Sequence, residues 1–547
     1  ARILETITAS DTNACVIRAE TGSGKSTQIP QYLIEDVDFL TSSGSPDGSM
    51  KTVICTQPRR VAAISLAKRV AEEYGCKVAE EIGYIAGNSR KTSSRTLLTF
   101  MTDRSLLNMC LSSKDLENCA CVIIDEAHER TVDTDILLAM LKDIQAQRSD
   151  LKIIIMSATI DVDLFSNYLH KCPVIKVPGR TFPVETIWCG SMEPTGSGDY
   201  VRKAVEKVQE IHNQKDDAGD ILVFLTSQNE IEKACNQMES RVKDGTAVVL
   251  PLHGKLQPDD QMKVFKETPF GKRKIVFSTN VAETSVTIPG IKFVVDTGVV
   301  KECQYDPQRN MSLLKVSTIT KASAEQRQGR AGRTGPGVCY RLYAESEYVE
   351  MESNMKPEIL RVHLGMAMLQ LMKMGVKDVT KFDFVESPEK GAIKQAVQML
   401  MYLGAVDDQN HLTSLGDKMA DLPLEPRLAK LVLDGVDLGL GKVAVTVAAL
   451  VSAPGNIVYR GSSEEDQRTS ELMKMHFSSE GGDILTMLKI YETWLSTGEK
   501  SRNAWSKKNS MNAKTLRMVK ETVDEIMQIF KKSLNITVGE SKIEDVD

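Results

Sequence analysis

The sequence predicts two tandem α/β lobes, each built on a parallel sheet, followed by a mainly helical region. Two observations predict the lobes: short, almost continuous apolar runs alternate with amphipathic stretches, and this pattern occurs twice along the chain. Such runs are typical of parallel strands, because crossover helices bury both faces of a parallel sheet. The runs cease after about Tyr343, which predicts the helical region.

The predicted strands form two sets. The first set comprises residues 15–18, 52–55, 121–124 and 152–156, and the second comprises residues 221–224, 247–250, 274–277 and 293–295. Residues 190–198, between the two sets, are rich in glycine and serine. This composition predicts a flexible linker, and hence a hinge between the lobes.

The remainder of the chain favours helices. Helical periodicity covers residues 358–374 and 392–403, and residues 404–413 read as a turn-rich β-wing between helices. We therefore expect a small mixed domain followed by a helical one. The acidic residues at the end of the chain, 539–547, are expected to fray.

Composition and charge exclude some classes of protein. At roughly 100–200 residues per domain, 547 residues predict several domains. The 68 basic and 74 acidic residues nearly balance, for a net charge of −6. A protein that binds nucleic acid through bulk charge is expected to be basic, so such binding here requires a local groove. No apolar run approaches the roughly 20 residues that span a bilayer, so we expect a soluble protein.

The eleven cysteines are scattered without repeated Cys-x-x-Cys pairs. Reduced thiols in a nuclear or cytoplasmic compartment, rather than secretion, are the expectation, with a zinc site as the less favoured alternative. No signal-peptide pattern is present, and the chain begins at Ala1. We therefore expect it to be part of a longer protein.

A glycine-rich segment follows the first predicted strand and precedes a helical pattern. It reads Ala-Glu-Thr-Gly-Ser-Gly-Lys-Ser over residues 19–26. Glycines allow backbone amides to curl around a phosphate, while the next helix directs its positive end toward it. Lys25 would reach the β- and γ-phosphates and Ser26 would bind Mg²⁺. The alternative, a flexible turn before an ordinary helix, is disfavoured by the flanking strand and helix, although Ala19 replaces the usual first glycine.

A second chemical motif, Asp125-Glu126-Ala127-His128, ends the predicted strand 121–124. Buried carboxylates are costly unless they meet a cation. Asp125 can hold Mg²⁺, and Glu126 can take a proton from an attacking water. Alone, such a pair is usually a solvated strand end, but together with the glycine-rich segment it predicts a site of nucleoside triphosphate hydrolysis.

An arginine-rich run occupies residues 326–333 on the second lobe. With three arginines and two glycines, this run is not expected in a core. The planar guanidinium group matches phosphate oxygens and stays charged. Arg330 and Arg333 could therefore reach the γ-phosphate when the cleft between the lobes closes; the alternative is an exposed basic turn.

These motifs together resemble the DEAH-box helicases of superfamily 2, whose name-giving box matches residues 125–128. Further matches follow in the family's order at residues 56–63, 157–159, 224–228, 278–285, 326–333 and 422–430. The resemblance spans nearly the whole chain and implies two tandem RecA-like lobes, a winged-helix domain and a helical ratchet domain. Their expected bounds are 1–178, 179–344, 345–413 and 414–533, with an acidic tail at 534–547.

The resemblance also implies roles for individual residues. The nucleotide would be held by Thr21, Gly22, Ser23, Gly24, Lys25, Ser26 and Thr27, with its base between Arg69 and Phe265. Catalysis would involve Glu126, His128, Gln326, Arg330 and Arg333, and the metal ligands would be Ser26, Asp125 and Glu126. Ser157, Thr159 and Ser285 would couple the lobes. RNA phosphates would meet Arg59, Arg60, Thr102, Thr226, Thr279 and Asn280. For each threonine, helix capping or turn formation is the alternative.

The function implied is that of an RNA helicase, in which ATP hydrolysis with Mg²⁺ drives movement along single-stranded RNA. Movement in the 3′ to 5′ direction, remodelling of duplexes or ribonucleoproteins in RNA processing, and use of other nucleoside triphosphates are expected. A β-hairpin at residues 300–314 would separate strands, and a glycine-patch protein would activate a monomeric motor. Nothing in the residues excludes DNA. The alternative is a nucleic-acid-binding scaffold or sensor regulated by ATP without productive unwinding.

Overall fold

The fold is known from a computed structural model. It describes residues 5–7, 13–19, 23–41, 50–87, 89–112, 116–158, 162–177, 182–191, 199–214, 219–242, 245–254, 256, 258–283, 288–306, 311–453, 455–459 and 464–539. The chain divides into two compact units. The first contains residues 1–362 and 383–388, and the second contains residues 363–382 and 389–547.

Eight strands among the described residues form the sheet of the first lobe. In chain order they are β1 (Ala14–Ala19), β2 (Thr52–Gln57), β3 (Ile82–Ala86), β4 (Ser89–Lys91), β5 (Leu98–Thr102), β6 (Cys119–Ile124), β7 (Lys152–Ser157) and β8 (Val174–Val177). Their spatial order is β4-β3-β5-β2-β6-β7-β1-β8. Only β3 and β4 pair in an antiparallel manner, so the carboxyl ends of β1, β2, β6 and β7 meet at one edge.

Helices cover this sheet because its central strands are apolar on both faces. They are α1 (Lys25–Glu35), α2 (Val37–Thr41), α3 (Arg60–Tyr74), α4 (Asp103–Ser112), α5 (Val132–Gln147) and α6 (Val162–Tyr168). Every residue of β6 is buried, which explains its continuous apolar sequence. The site described below lies at the carboxyl edge, where ligands bind in open α/β sheets.

The second lobe repeats this architecture with six strands among the described residues. They are β9 (Val184–Trp188), β10 (Asp220–Phe224), β11 (Ala247–Leu252), β12 (Arg273–Ser278), β13 (Ile291–Asp296) and β16 (Gly337–Arg341), in the order β11-β12-β10-β13-β16-β9. The helices are α7 (Asp199–Asn213), α8 (Gln228–Arg241), α9 (Pro258–Met262), α10 (Lys321–Gln328) and α11 (Glu345–Glu350). All pairings in this sheet are parallel.

A separate antiparallel hairpin projects from the second lobe. It pairs β14 (Val299–Asp306) with β15 (Met311–Thr318), so the predicted hairpin is confirmed and is longer than expected. Leu314 on β15 is 68% exposed. The turn residues 307–310 lie outside the described residues.

The second unit is helical. Its helices are α12 (Gly365–Lys373), α13 (Lys390–Tyr402), α14 (Ser414–Asp421), α15 (Pro426–Asp437), α16 (Gly441–Ser452), α17 (Glu464–His476), α18 (Asp483–Ser496), α19 (Arg502–Lys508) and α20 (Ala513–Lys532). Between α13 and α14, Val406 and Leu412 form an antiparallel bridge, as the predicted β-wing requires. No helix in the described part of the chain has both the length and the apolar character to cross a membrane.

Two local predictions are wrong. The helix expected over residues 358–374 begins only at Gly365, and Glu358–Leu360 forms a single 3-10 turn. Glu358 donates its backbone amide to the carbonyl of Arg130 at 3.0 Å, so a tertiary contact overrides the local periodicity. The linker at 190–198 does not separate the lobes, because β9 precedes it and pairs with β16 of the second lobe; residues 192–198 lie outside the described residues.

Candidate nucleotide-hydrolysis site

The glycine-rich segment forms the start of α1. Gly24 has a left-handed backbone (φ +82°) and precedes the first helical residue, Lys25. The first turn of α1 contains no acidic residue and no side-chain cap on its amides, so the positive end of the helix is available to an anion. Oγ of Ser23 is buried without a hydrogen-bond partner in the described structure. These features fit a phosphate group, whereas Thr21 and Gly22 lie outside the described residues.

The acidic motif forms a tight turn at the end of β6. Glu126 has a left-handed backbone (φ +53°) and is followed by a 3-10 turn, Ala127–Glu129. Asp125 accepts hydrogen bonds from the Glu126 amide at 2.9 Å and from Nε2 of Gln57 at 2.6 Å. Gln57, which the sequence motifs did not indicate as a site residue, ends β2, and β2 pairs with β6.

Lys25 and Glu126 form a buried ion pair. Nζ of Lys25 lies 3.0 Å from Oε1 of Glu126, and the two side chains are only 3% and 2% exposed. Burial alone would lower the pKa of Lys25, but the carboxylates of Glu126 and Asp125 outweigh it and raise that pKa. Burial alone would likewise raise the pKa of Glu126, but Lys25 and His128 lower it to about 2. Glu126 is therefore an ionised carboxylate at neutral pH.

Of the three residues expected to bind Mg²⁺, Ser26 and Asp125 fit that role, whereas Glu126 pairs with Lys25. The hydroxyl of Ser26 hydrogen-bonds to the carboxylate of Asp125, whose pKa burial raises. A hydroxyl beside a buried carboxylate supplies the hard oxygen ligands that Mg²⁺ prefers, the other positions being filled by phosphate and water. No group of three or more His, Cys, Asp or Glu side chains suited to a metal occurs among the described residues. Glu126 is held by Lys25 rather than directed at this pair.

The arginine-rich run belongs to α10 and the turn after it. Arg330 is buried and donates to the backbone carbonyl of Glu283. Burial and the neighbouring Arg333 lower the pKa of Arg330 to about 9, opposed by Glu126 of the first lobe. Arg333 in turn acts on the pKa of Lys25. Electrostatic interactions therefore link Arg330 with Glu126 and Arg333 with Lys25 across the two lobes.

The expectation that this run avoids the core is wrong for Arg327. Its side chain is 1% exposed and pairs with Glu283 at 3.0 Å and Asp296 at 2.8 Å. Its guanidinium carbon also lies 4.8 Å from the ring centroid of Phe224. Burial opposes the charge of Arg327, but the two carboxylates raise its pKa. Arg327 therefore fixes α10, which carries Gln326 toward the seam, to the second sheet.

A cavity of about 490 Å³ lies between the lobes and is lined by His128 and Gln326, among others. Nε2 of His128 is 3.4 Å from Oε2 of Glu126, and Nδ1 of His128 is 3.4 Å from the Ala158 amide. His128 therefore lies between the Glu126 carboxylate and the backbone amide of Ala158. Ser157, which precedes Ala158, is buried at the end of β7. Thr159 and Ser285, also predicted to couple the lobes, lie outside the described residues.

Two predicted RNA contacts of the first lobe lie together. Thr102 hydrogen-bonds to Oγ of Ser105 at 2.7 Å, and Ser105 accepts the Gly87 amide at 3.4 Å. The guanidinium group of Arg60 lies against Gly87, where an added Cβ would approach it to 3.1 Å. Ser105 and Gly87 thus join Arg60 and Thr102 in one local cluster. Arg104 makes an ion pair with Asp133 at 2.9 Å.

Arg59 does not lie free in a groove. Its guanidinium group donates to the Asn280 carbonyl of the second lobe at 3.2 Å and pairs with Glu129 at 3.3 Å. The Asn280 side chain is exposed and Thr279 is half-buried.

Thr226 donates both its amide and its hydroxyl to Glu230, at 3.0 and 2.7 Å. Glu230 therefore holds Thr226 in this structure, and the RNA contact of Thr226 stays a prediction.

The two residues predicted to sandwich the base lie on opposite lobes. Arg69 on α3 is exposed and pairs with Glu73 at 2.6 Å. Phe265 lines a small cavity between the lobes together with Arg59 and Ala62. Ser26 and Thr27 are half-buried in the first turn of α1. The sandwich of Arg69 and Phe265 stays a prediction.

A glycine-rich loop and an acidic turn on one parallel-sheet lobe, with an arginine-rich helix on a second such lobe, are the arrangement of a nucleotide-binding protein with tandem RecA-like lobes. Family models agree: DEAD/DEAH box helicase matches residues 1–165, and Helicase conserved C-terminal domain matches residues 203–335. A third, Helicase associated domain (HA2), winged-helix, matches residues 396–424. The chain therefore contains a DEAD/DEAH box helicase domain and a helicase C-terminal domain, and residues 125–128 carry the DEAH form of the box.

Curated relatives are similar over nearly the whole chain. Two Arabidopsis thaliana proteins, ATP-dependent RNA helicase DEAH12, chloroplastic and ATP-dependent RNA helicase DEAH11, chloroplastic, are 42% and 41% identical over 530 and 534 residues. Each alignment covers 95% of this chain and 29% of the relative. The Pre-mRNA-splicing factor ATP-dependent RNA helicase prp22 of Schizosaccharomyces pombe is 42% identical over 523 residues, covering 94% of this chain and 43% of that protein. The chain spans less than half of each relative.

Proposed function

We propose that this chain is the motor of an ATP-dependent RNA helicase, which couples hydrolysis to 3′ to 5′ movement along single-stranded RNA and to remodelling of duplexes or ribonucleoproteins. The observation that carries the proposal is the buried charge cluster at the seam: Nζ of Lys25 lies 3.0 Å from Oε1 of Glu126, and one cavity is lined by His128 of the first lobe and Gln326 of the second. An arginine completing such a site is worth roughly 10³–10⁵ in rate, or about 4–7 kcal/mol. Hydrolysis would then depend on closure of the lobes.

Each residue has a distinct task in this proposal. Lys25 exchanges Glu126 for the β- and γ-phosphates, and the released carboxylate accepts a proton from the attacking water. Gln326 orients that water from the second lobe, and Arg330 and Arg333 stabilise the charge that develops on the transferred phosphoryl group. A bound Mg²⁺, held by Ser26 and Asp125, would neutralise charge on the phosphate oxygens.

The proposed RNA contacts are independent of sequence. Arg60 and Thr102 on the first lobe, with Thr279 and Asn280 on the second, offer guanidinium, hydroxyl and amide groups to sugar and phosphate. Arg59 would join them by leaving Glu129 and the Asn280 carbonyl. RNA is preferred to DNA because the relatives' names specify RNA helicases.

Further parts of the proposal follow from the family. The base site between Arg69 and Phe265 would accept other nucleoside triphosphates besides ATP, and a glycine-patch-type protein would activate a monomeric motor. The domain limits at residues 178, 344, 413 and 533 belong to the proposal as well. A nuclear or cytoplasmic compartment is proposed because all eleven cysteines are free thiols, although the relatives' names include both a splicing factor and chloroplastic proteins.

The proposal is tested by measuring ATP hydrolysis with and without poly-uridine, and unwinding of duplexes with a 3′ or a 5′ single-stranded tail. We expect RNA to stimulate hydrolysis and only the 3′-tailed duplex to be unwound. Hydrolysis that is stimulated by RNA without unwinding of either duplex would favour the scaffold or sensor. Hydrolysis that ignores RNA would contradict an RNA motor.

A further inference from the structure

The turn that carries Glu126 and His128 has left-handed backbone at both ends. Glu126 has φ +53° and Arg130 has φ +47°, and neither is a glycine. Left-handed backbone is strained in residues other than glycine, and it persists only when the surroundings of the residue fix it. The contacts of Arg130 therefore decide how firmly the turn is held.

The side chain of Arg130 is anchored within the first lobe. Its Nε and Nη2 donate to the two carboxylate oxygens of Asp135 at 2.7 and 2.9 Å. Its guanidinium carbon lies 5.7 Å from the ring centroid of Phe165 on α6. The side chain of Arg130 is only 7% exposed. Its two parallel hydrogen bonds to Asp135 form the planar, bidentate pairing that orients a guanidinium group strongly.

The third guanidinium nitrogen makes a contact outside the first lobe. Nη1 of Arg130 donates to Oε2 of Glu386 at 2.7 Å. The backbone around Arg130 is held in the same way: its carbonyl accepts the Glu358 amide at 3.0 Å, and the Val132 amide donates to the Glu358 carboxylate at 3.0 Å. Two segments remote in sequence, around 358 and 386, thus attach to one turn.

These two segments are the connections of the second unit. The chain enters that unit at residue 363, leaves it at 382, and enters again at 389. Glu358 lies just before the first entry, and Glu386 lies in the return between 382 and 389. Both also line the cavity of about 490 Å³ that contains His128 and Gln326.

We propose that Arg130 is a positioning residue for the catalytic turn, and that Glu386 and Glu358 make this position respond to the connections of the second unit. The inference rests on the proposed function and adds a route by which the second unit regulates hydrolysis. A displacement of the segment around Glu358 or Glu386 changes the contacts of Arg130 and Val132. Glu126 and His128 then change position as well. The coupling uses an ion pair and two backbone amides, without a new ligand.

The test compares Glu386→Gln with Asp383→Asn. Glu386 is 41% exposed, so its variant is expected to fold, which thermal unfolding checks. Asp383 lies in the same segment and pairs with Lys142 of α5 at 2.7 Å, but it does not contact the catalytic turn. Its carbonyl, which accepts Tyr168 at 2.6 Å, is retained in the variant. The pair therefore separates the Arg130 contact from general attachment of the segment.

Two readouts are measured on the full chain: amide hydrogen exchange of peptides covering residues 126–132, and kcat for ATP with and without poly-uridine. In Glu386→Gln, exchange in these peptides should be about fivefold faster, and the RNA-stimulated kcat should fall about three- to tenfold more than the basal kcat. Asp383→Asn should leave both readouts within about twofold of the unaltered chain.

Equal effects of the two substitutions, or unchanged exchange in Glu386→Gln, would overturn the inference. Hydrogen exchange does not require ATP hydrolysis, so it tests the inference even if the unaltered chain does not hydrolyse ATP. Absence of hydrolysis would contradict the proposed function alone. Arg130→Lys gives a second measurement: it keeps the charge but loses the two-point pairing. Its exchange should rise at least as much as in Glu386→Gln, and a smaller rise also counts against the inference.

Discussion

Nζ of Lys25 lies 3.0 Å from Oε1 of Glu126, with both side chains buried. The ammonium group expected to hold phosphate thus neutralises the carboxylate expected to act as the base. Neither charge can be left alone in this environment without a large cost. In the proposed function, binding of a triphosphate would give Lys25 a second anionic partner, so phosphate binding and release of the base would be one event.

Glu126→Gln should therefore keep nucleotide binding and lose hydrolysis. An amide cannot accept the proton of the attacking water, and loss of general base catalysis costs about 10²–10⁴ in rate. Affinity should be equal or higher, because the substitution removes a negative charge near the phosphates. Single-turnover hydrolysis and titration with a fluorescent ATP analogue measure the two quantities.

Glu129→Gln serves as the control for Glu126, because Glu129 lies in the same turn but pairs with Arg59. We expect its loss of hydrolysis to be much smaller. Turnover by Glu126→Gln within tenfold of the unaltered chain would remove Glu126 as the base.

Arg333→Ala should lower kcat by about 10³ or more while changing nucleotide affinity by less than about tenfold. In the proposed function Arg333 acts on the site from the second lobe when the lobes are together, so its contribution would belong to the transition state. Steady-state kcat and the Kd of a non-hydrolysable ATP analogue are compared. Arg241→Ala removes an exposed arginine of the same lobe and should change neither. Parallel losses in kcat and affinity for Arg333→Ala would indicate a binding role only.

The fold was predictable where burial alone decides the pattern. β6 is apolar throughout because helices cover both its faces, and its apolar run gave the strand and the motif after it. β5 (Leu98–Thr102) was not found, although all its residues are buried. Its threonines and its short length hide the apolar signal, and its place is set by pairing with β2 and β3.

The site was predictable in its residues more than in its contacts. Lys25 and Asp125, which come from separate motifs, lie in one buried cluster with Glu126, because chemistry restricts residue types there. Arg327 could not be placed in the core, since its partners Glu283 and Asp296 are 44 and 31 residues away in sequence. Thr226 offers the hydroxyl expected of an RNA contact, but Glu230, four residues later, accepts it.

Arg327→Met should destabilise the second lobe without acting on the chemistry directly. The substitution leaves the carboxylates of Glu283 and Asp296 buried without their cation, which costs about 3–5 kcal/mol. Arg202→Met is the control, because Arg202 makes exposed pairs on α7 worth less than about 1 kcal/mol. Urea unfolding compares the two variants. Similar midpoints would contradict the structural role of Arg327.

Asp103 provides a test of burial through pH. Asp103 is the first residue of α4 and accepts a hydrogen bond from Thr134 at 2.5 Å. Burial raises the pKa of its carboxyl group from 3.8 to about 6. The folded chain therefore holds this proton at pH values where the unfolded chain has lost it, so the contribution of Asp103 to stability falls as pH rises from about 4 to about 6 and is constant above.

Asp103→Asn removes this titration while keeping a side chain of similar shape. The unaltered chain should lose about 1 kcal/mol relative to the variant between pH 5 and pH 7.5, because that interval covers most of the deprotonation of a group with this pKa. Urea unfolding of both proteins at several pH values gives the difference, in which the titration of every other group cancels. If the difference in unfolding free energy between the two proteins does not change with pH, Asp103 is solvated. The start of α4, where Thr102 hydrogen-bonds to Ser105, would then be open to water as well.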